Sequence, residues 1–180
     1  RAKSPILPSA NFPIQQLRIT EWILKNIGKQ AVWGPFDPNS YSLPKLLGGF
    51  RVSPIGAVKK GISFNVKEID QEWRVIHHLS HPVNGTSVNS EILEEWRSVK
   101  YVTFKQVVQL AHSLGPQAKM WTVDAKDAYL RVPIKRHCIT YMCFLWVGKL
   151  FAFTSLSFGL SSAPQLNTPF ADAGLDRWLL

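Results

Sequence analysis

Residues 123–134 read VDAKDAYLRVPI. Asp124 closes the apolar run Trp121-Thr122-Val123, and Asp127 follows with Ala128 and Tyr129 directly behind it. The pattern over 119–125 predicts a strand, which sets a charged side chain where the strand leaves the core. A carboxylate at a strand end commonly does no more than form a turn or cap. Asp124 and Asp127 are nevertheless the first candidates for chemistry, because the chain has only twelve acidic residues and most are scattered.

The flanking residues extend the reading in both directions. Downstream, 138–146 and 150–156 are aromatic-rich strands around Val147-Gly148-Lys149, a β-hairpin pattern. A last helix is predicted from Pro164, with Ser162 as N-cap and Phe170, Leu175, Trp178 and Leu179 along it. The chain stops at Leu180 inside that apolar pattern, without a helix-ending signal, as a fragment of a longer protein would. Upstream, Thr103 and Gln106 make a capping box for a helix whose stripe is Phe104, Val107, Val108, Ala111 and Leu114, with Val102 and Val107 at staple positions. Gly115 and Pro116 end it. Two short β-branched runs, 55–60 and 73–79, flank a polar connection carrying Glu68, Asp70 and Glu72, a hairpin with a long tip. Residues 29–56 hold too many prolines and glycines for long elements and read as an extended arm. Before them a helix is predicted over 14–27, with Pro13 at its start and Gly28 as its C′ stop, after an irregular lead-in. The elements together predict an α+β fold.

At 180 residues with 46% apolar, the chain can bury a core, about 70% of its unfolded surface at this size. Fibrous and fully disordered classes are excluded. Lys and Arg outnumber Asp and Glu by 21 to 12, a net charge of +9, which favours a polyanionic partner, nucleic acid ahead of membrane. No stretch reaches the ~20 apolar residues of a spanning helix and no signal core follows Arg1-Ala2-Lys3, so a cytoplasmic or nuclear setting is expected. Cys138 and Cys143 lie five apart on a predicted strand, face opposite ways and are expected as reduced thiols. Asn84-Gly85-Thr86 reads as a tight turn. Lysines, an arginine and a glycine-rich turn accompany the aspartates, the inventory required by a metal-bound triphosphate on a nucleic-acid template.

Four segments carry a family resemblance in order: SPIGAVKK at 53–60, EWRVIHHLS at 72–80, VDAKDAYLRVPI at 123–134 and LSFGLSSAP at 156–164. The last two resemble the first and second catalytic motifs of retroelement reverse transcriptases, and the first two resemble the fingers of the same enzymes. HHLSHPVNGTSVN at 77–89 is most similar to the DIRS-like, tyrosine-recombinase-encoding retrotransposons. The resemblance covers 31–180 and implies the fingers and partial palm of a right-hand polymerase: a lead-in and helix over 1–30, a fingers-like region over 31–118 and a partial palm over 119–180. The implied activity is RNA-directed DNA synthesis from dNTPs on an RNA or DNA template with primer, with two Mg²⁺ ions in the complete enzyme and no membrane partner.

Carried over by position, the resemblance makes Asp124 the catalytic metal-binding aspartate and the carbonyl of Ala125 a second metal contact. The backbone at Asp127 and Ala128 would bind the triphosphate, and Tyr129 would lie under the deoxyribose and exclude a 2′-hydroxyl. Lys59 or Lys60, with Arg74, would clamp the triphosphate. Phe158 and Gly159 would open the second motif, glycine permitting close backbone approach. His77, His78 and His81 resemble a metal cluster, but adjacent strand residues face opposite ways, which argues against zinc. The seven tryptophans are expected in the core, with Trp33, Trp73 and Trp146 as possible base-stacking groups.

The third family motif, an aromatic, any residue and two aspartates, is absent, since no Asp-Asp pair occurs in the chain. Asp172 and Asp176 are the only later acids and suit a solvated helix face. The rest of the palm, the thumb and any RNase H region would belong to the remainder of a parent polyprotein. The implied fragment is thus truncated before the third motif and expected to be inactive alone. Two other readings use the same residues: a degenerate or domesticated nucleic-acid-binding module without catalysis, and, more weakly, a Mg²⁺-dependent nuclease built on Asp124 and Asp127.

Overall fold

The computed structural model describes residues 13–40, 48–60, 72–120, 122 and 124–179, with side chains described as far as 174. The lead-in up to 12, part of the arm, the hairpin tip with Glu68 and Asp70, Trp121, Val123 and the side chains of Leu175, Trp178 and Leu179 lie outside the described residues.

Helix α1 spans Pro13–Gly28 and buries Ile19, Ile23 and Asn26. Its end differs from expectation. Gly28 is the last helical residue, and the left-handed position falls on Gln30 at φ 59°. Gln30 N–H donates to Ile27 O (2.9 Å) and Ala31 N–H to Asn26 O (3.0 Å), the paired bonds of a Schellman ending. Lys29 is therefore the C-cap, and Gln30, not Gly28, is C′.

The chain then runs through β1 (Val32–Phe36) to β2 (Ile55–Lys59) and β3 (Trp73–His77). These last two form the expected antiparallel hairpin, registered from Ile55 opposite His77 to Lys59 opposite Trp73. Helix α2 (Phe104–Leu114) carries both bonds of the Thr103–Gln106 capping box. Its stripe, however, is not covered: α2 has no buried residue, and Phe104, Val108 and Leu114 are exposed. The amphipathic period is real; no described element packs on it.

Strands β4 (Cys143–Trp146) and β5 (Lys149–Phe153) are the expected hairpin, shortened at both outer ends. Residues Arg136–Tyr141 form 3-10 turns instead of strand, with Cys138 N–H bonded to Lys135 O and Met142 N–H to Ile139 O. Cys138 is thus on a turn and Cys143 on a strand; both are free thiols. Residues 119, 120, 122, 124 and 125 are irregular, because no neighbouring strand among the described residues offers the expected 119–125 segment a ladder. Helix α3 spans Ala163–Leu179, placing Pro164 second in the helix.

The sheet order is β1-β5-β4, all antiparallel, so β5 is the central strand. Period-two alternation buries both of its faces. Phe151 and Phe153, with Phe144 of β4, join Ile19 and Ile23 of α1, Val32, Ala57 and Val75 in the main core. Leu150, Ala152 and Cys143 pack with Ile139 on the other side. A third cluster, Val132, Leu156 and Ala163, ties the motif segments to the start of α3. Helix α1 packs against strands of both sheets, and β1 pairs with the distant β5. The tryptophans fill less of the core than expected. Trp22, Trp73 and Trp146 pack partly buried against it, whereas Trp33 and Trp96 are exposed.

Candidate active site

An open cleft of about 680 Å³ lies between α1, the β2–β3 hairpin, the 124–129 segment and Phe158. It gathers the predicted residues from three distant parts of the chain: Lys60 and Arg74, then Asp124, Ala125, Asp127, Ala128 and Tyr129, then Phe158. Of the two candidate lysines, Lys60 lines the cleft and its Nζ meets Glu72 Oε2 at 3.1 Å. Lys59 lies over the Trp73 indole, 5.5 Å from the ring centroid. Gly159 is next to the cleft-lining Phe158 but is not itself part of the wall.

Arg74, Phe158 and Tyr129 form one layer. The guanidinium stands 5.6 Å from the Phe158 centroid, and the Tyr129 ring is 5.1 Å from the same ring at 58°. A cation over an aromatic face is attracted by the ring quadrupole, which holds Arg74 against Phe158. Tyr129 belongs to a single 3-10 turn, Tyr129–Arg131, and burial, followed by the nearby Tyr101, holds its phenol protonated beyond the usual range.

Gly159 has a structural duty as well. At φ +113° it lies so close to β3 that an added Cβ would sit 1.9 Å from His77 O. Phe158 O accepts from His77 N–H (3.0 Å), Gly159 O accepts from Asn89 Nδ2 (2.7 Å), and Asn89 Oδ1 accepts from Ser161 N–H (2.9 Å). The His77 bond thus ties the second motif to β3, and buried Asn89, which the motif reading did not single out, ties it to the Leu79–Ser80 segment that follows. His77, the last residue of β3, is a core residue: its ring stacks on Phe153 at 4.9 Å and its Nε2 faces Cys143 O at 3.3 Å.

The larger omission is α1. Trp22, Lys25, Asn26 and Lys29 form one wall of the cleft. Their spacing places them on one helical face, which is the signal that could have marked them. Lys29 Nζ donates to Asp127 Oδ2 across 98 positions of sequence. Asp127 is itself left-handed, at φ 57°. The Lys29 hydrogen bond holds the Asp127 carboxyl below its ordinary range, with Lys25 and Lys126 adding in the same direction.

As a resident metal site the cleft is incomplete. It offers the exposed Asp124 carboxylate and the Ala125 carbonyl, while Asp127 is engaged by Lys29. Among the described residues no three His, Cys, Asp or Glu side chains converge on a common point. Mg²⁺ is commonly held by one or two carboxylates together with substrate phosphates. These donors suit an ion that arrives on a nucleotide and do not make a cage of their own. Five cationic side chains against three carboxylates line the cleft, an electrostatic balance that favours a polyanion.

No protein-family model matches the chain, and no curated protein matches it. Solved structures do. A foamy viral protease-reverse transcriptase dRH, in complex with double-stranded DNA, superposes with a TM-score of 0.56 at 17% identity over 95% of this chain. The native prototype foamy virus protease-reverse transcriptase gives a TM-score of 0.53 at 19% identity, again over 95%. The chain spans 24% and 18% of the lengths of those two proteins. The molecule thus has a reverse transcriptase-like fold, at an identity too low to carry more than the fold. No described helix is long and apolar enough to cross a membrane.

Proposed function

We propose that the chain is the fingers and first part of the palm of an RNA-directed DNA polymerase of a DIRS-like retrotransposon. Its cleft receives a metal-bound dNTP beside a template and primer. The observation that carries this reading is the convergence of Lys60, Arg74, Asp124, Asp127, Tyr129 and Phe158, drawn from well-separated segments, on one positively charged cleft. In this reading Arg74 and Lys60 neutralise the phosphates, the former as a fork and the latter as a point charge. The backbone at Asp127 and Ala128 holds the triphosphate, the Tyr129 ring underlies the sugar, and Asp124 with the Ala125 carbonyl faces the ion that the nucleotide brings. With no Asp-Asp pair in the sequence, these 180 residues bind substrate but do not turn it over.

The test is affinity for a labelled template–primer with and without the matching dNTP in Mg²⁺ buffer. The dNTP is expected to tighten binding at least threefold, and Arg74→Ala to abolish that gain. The absence of an Asp-Asp pair also favours a second reading, a non-catalytic nucleic-acid-binding module. Unchanged affinity on adding dNTP supports that module against the polymerase. Primer extension by the 180-residue chain that disappears in Asp124→Asn overturns its inactivity.

A further inference from the structure

We infer that Lys29 is a positioning residue of this cleft: it neutralises the Asp127 carboxylate and ties α1 to the turn that presents the triphosphate site. The inference rests on the proposed nucleotide-binding function and goes beyond it, since α1 lies outside every motif on which that reading was built. Three observations converge. The Schellman ending makes Lys29 the C-cap of α1, so its backbone is fixed by bonds on either side rather than left in a loose tail. From there its Nζ reaches Asp127 Oδ2. Asp127 in turn holds the left-handed conformation that few non-glycine residues adopt, within the turn Lys126-Asp127-Ala128 that lines the cleft.

The pair is not arranged chiefly for stability. Its side chains are 41% and 33% exposed, and ion pairs that open to water add little to folding. Its consequence lies in the field of the cleft. A bare carboxylate beside the backbone that holds a triphosphate would repel the ligand it is meant to receive. Lys29 cancels that charge at its source, and Lys25 on the preceding turn of α1 adds a further cation to the same wall. Lys29 need not touch the nucleotide to do this.

The experiment is dATP binding in Mg²⁺ buffer, followed by equilibrium dialysis, for the whole chain and three variants. Lys29→Met is expected to weaken binding at least tenfold, and Lys29→Arg, which keeps the cation, to stay within threefold of the parent. The double variant Lys29→Met/Asp127→Asn, which removes both charges, is expected to recover most of the loss. Thermal unfolding midpoints should barely move, as befits an exposed pair, so a folding defect would be visible separately. Wild-type affinity in Lys29→Met overturns the inference alone. A double variant as weak as Lys29→Met also overturns it, by making Lys29 a direct phosphate ligand. If the parent chain binds no dATP, the nucleotide reading falls and the inference with it.

Discussion

At Gly159 the absence of a side chain serves the fold before it serves any ligand. A methyl group there would meet His77 O at 1.9 Å in a backbone conformation, φ +113°, that side chains rarely adopt. Gly159→Ala is expected to cost about 2–4 kcal/mol, read as a lower urea midpoint at unchanged m. His77 gives a pH dependence of definite sign. Burial holds its pKa at about 3 against an ordinary 6.5. The unfolded chain takes up a proton below pH 6.5 that the folded chain refuses until near pH 3. The stability is therefore complete above pH 6.5 and falls through that window, by up to about 1.4 kcal/mol per pH unit. Urea unfolding at pH 7, 5.5 and 4.5 should show the decline, and His77→Phe, which retains a ring against Phe153, should flatten it. The neighbouring Cys143 thiol is pushed up to about 12 by burial and is inert at neutral pH.

Among the elements, α2 separates local from tertiary stabilisation. Its capping box is complete, yet no described residue covers its stripe, so among the described residues its helicity rests on sequence-local terms. Thr103→Ala is expected to cost about 1 kcal/mol within the helix. Hydrogen-exchange protection over 104–114 should drop while the global unfolding midpoint stays put; a matching global loss would show that α2 is coupled to the core. The same contrast explains what was legible in the sequence. The Thr103–Gln106 cap and the pairing of the two hairpins announce themselves through spacing over a few residues, and both formed, although the second hairpin is shorter than its pattern. The irregular course around Asp124, the 3-10 turns at 136–141 and the exposed face of α2 depend on whether a partner is present, which no local pattern encodes. In the cleft, the motif residues were readable because chemistry restricts their types. Lys29 and Asn89 were not, since each acts on a residue 70 or more positions away.

For the whole molecule, the charge of +9 and the cationic cleft predict binding dominated by phosphate contacts. Affinity for duplex nucleic acid is expected to fall roughly 100-fold between 50 and 200 mM salt, as for about four neutralised phosphates, when measured by fluorescence anisotropy. A flat salt response would mean that the surface charge is not what holds the partner. The sheet has a further consequence, for the order in which the molecule can assemble as it is made. Val32 pairs with Phe153, so β1 emerges from the ribosome about 120 residues before the strand that completes it. At ~5–20 residues per second that wait is roughly 6–24 s. The β2–β3 hairpin, whose partners lie within 22 residues of each other, can close long before then. During synthesis α1 therefore has the hairpin for company but not its sheet, and nascent chains halted before residue 149 should be captured by chaperones more readily than those halted well beyond 153.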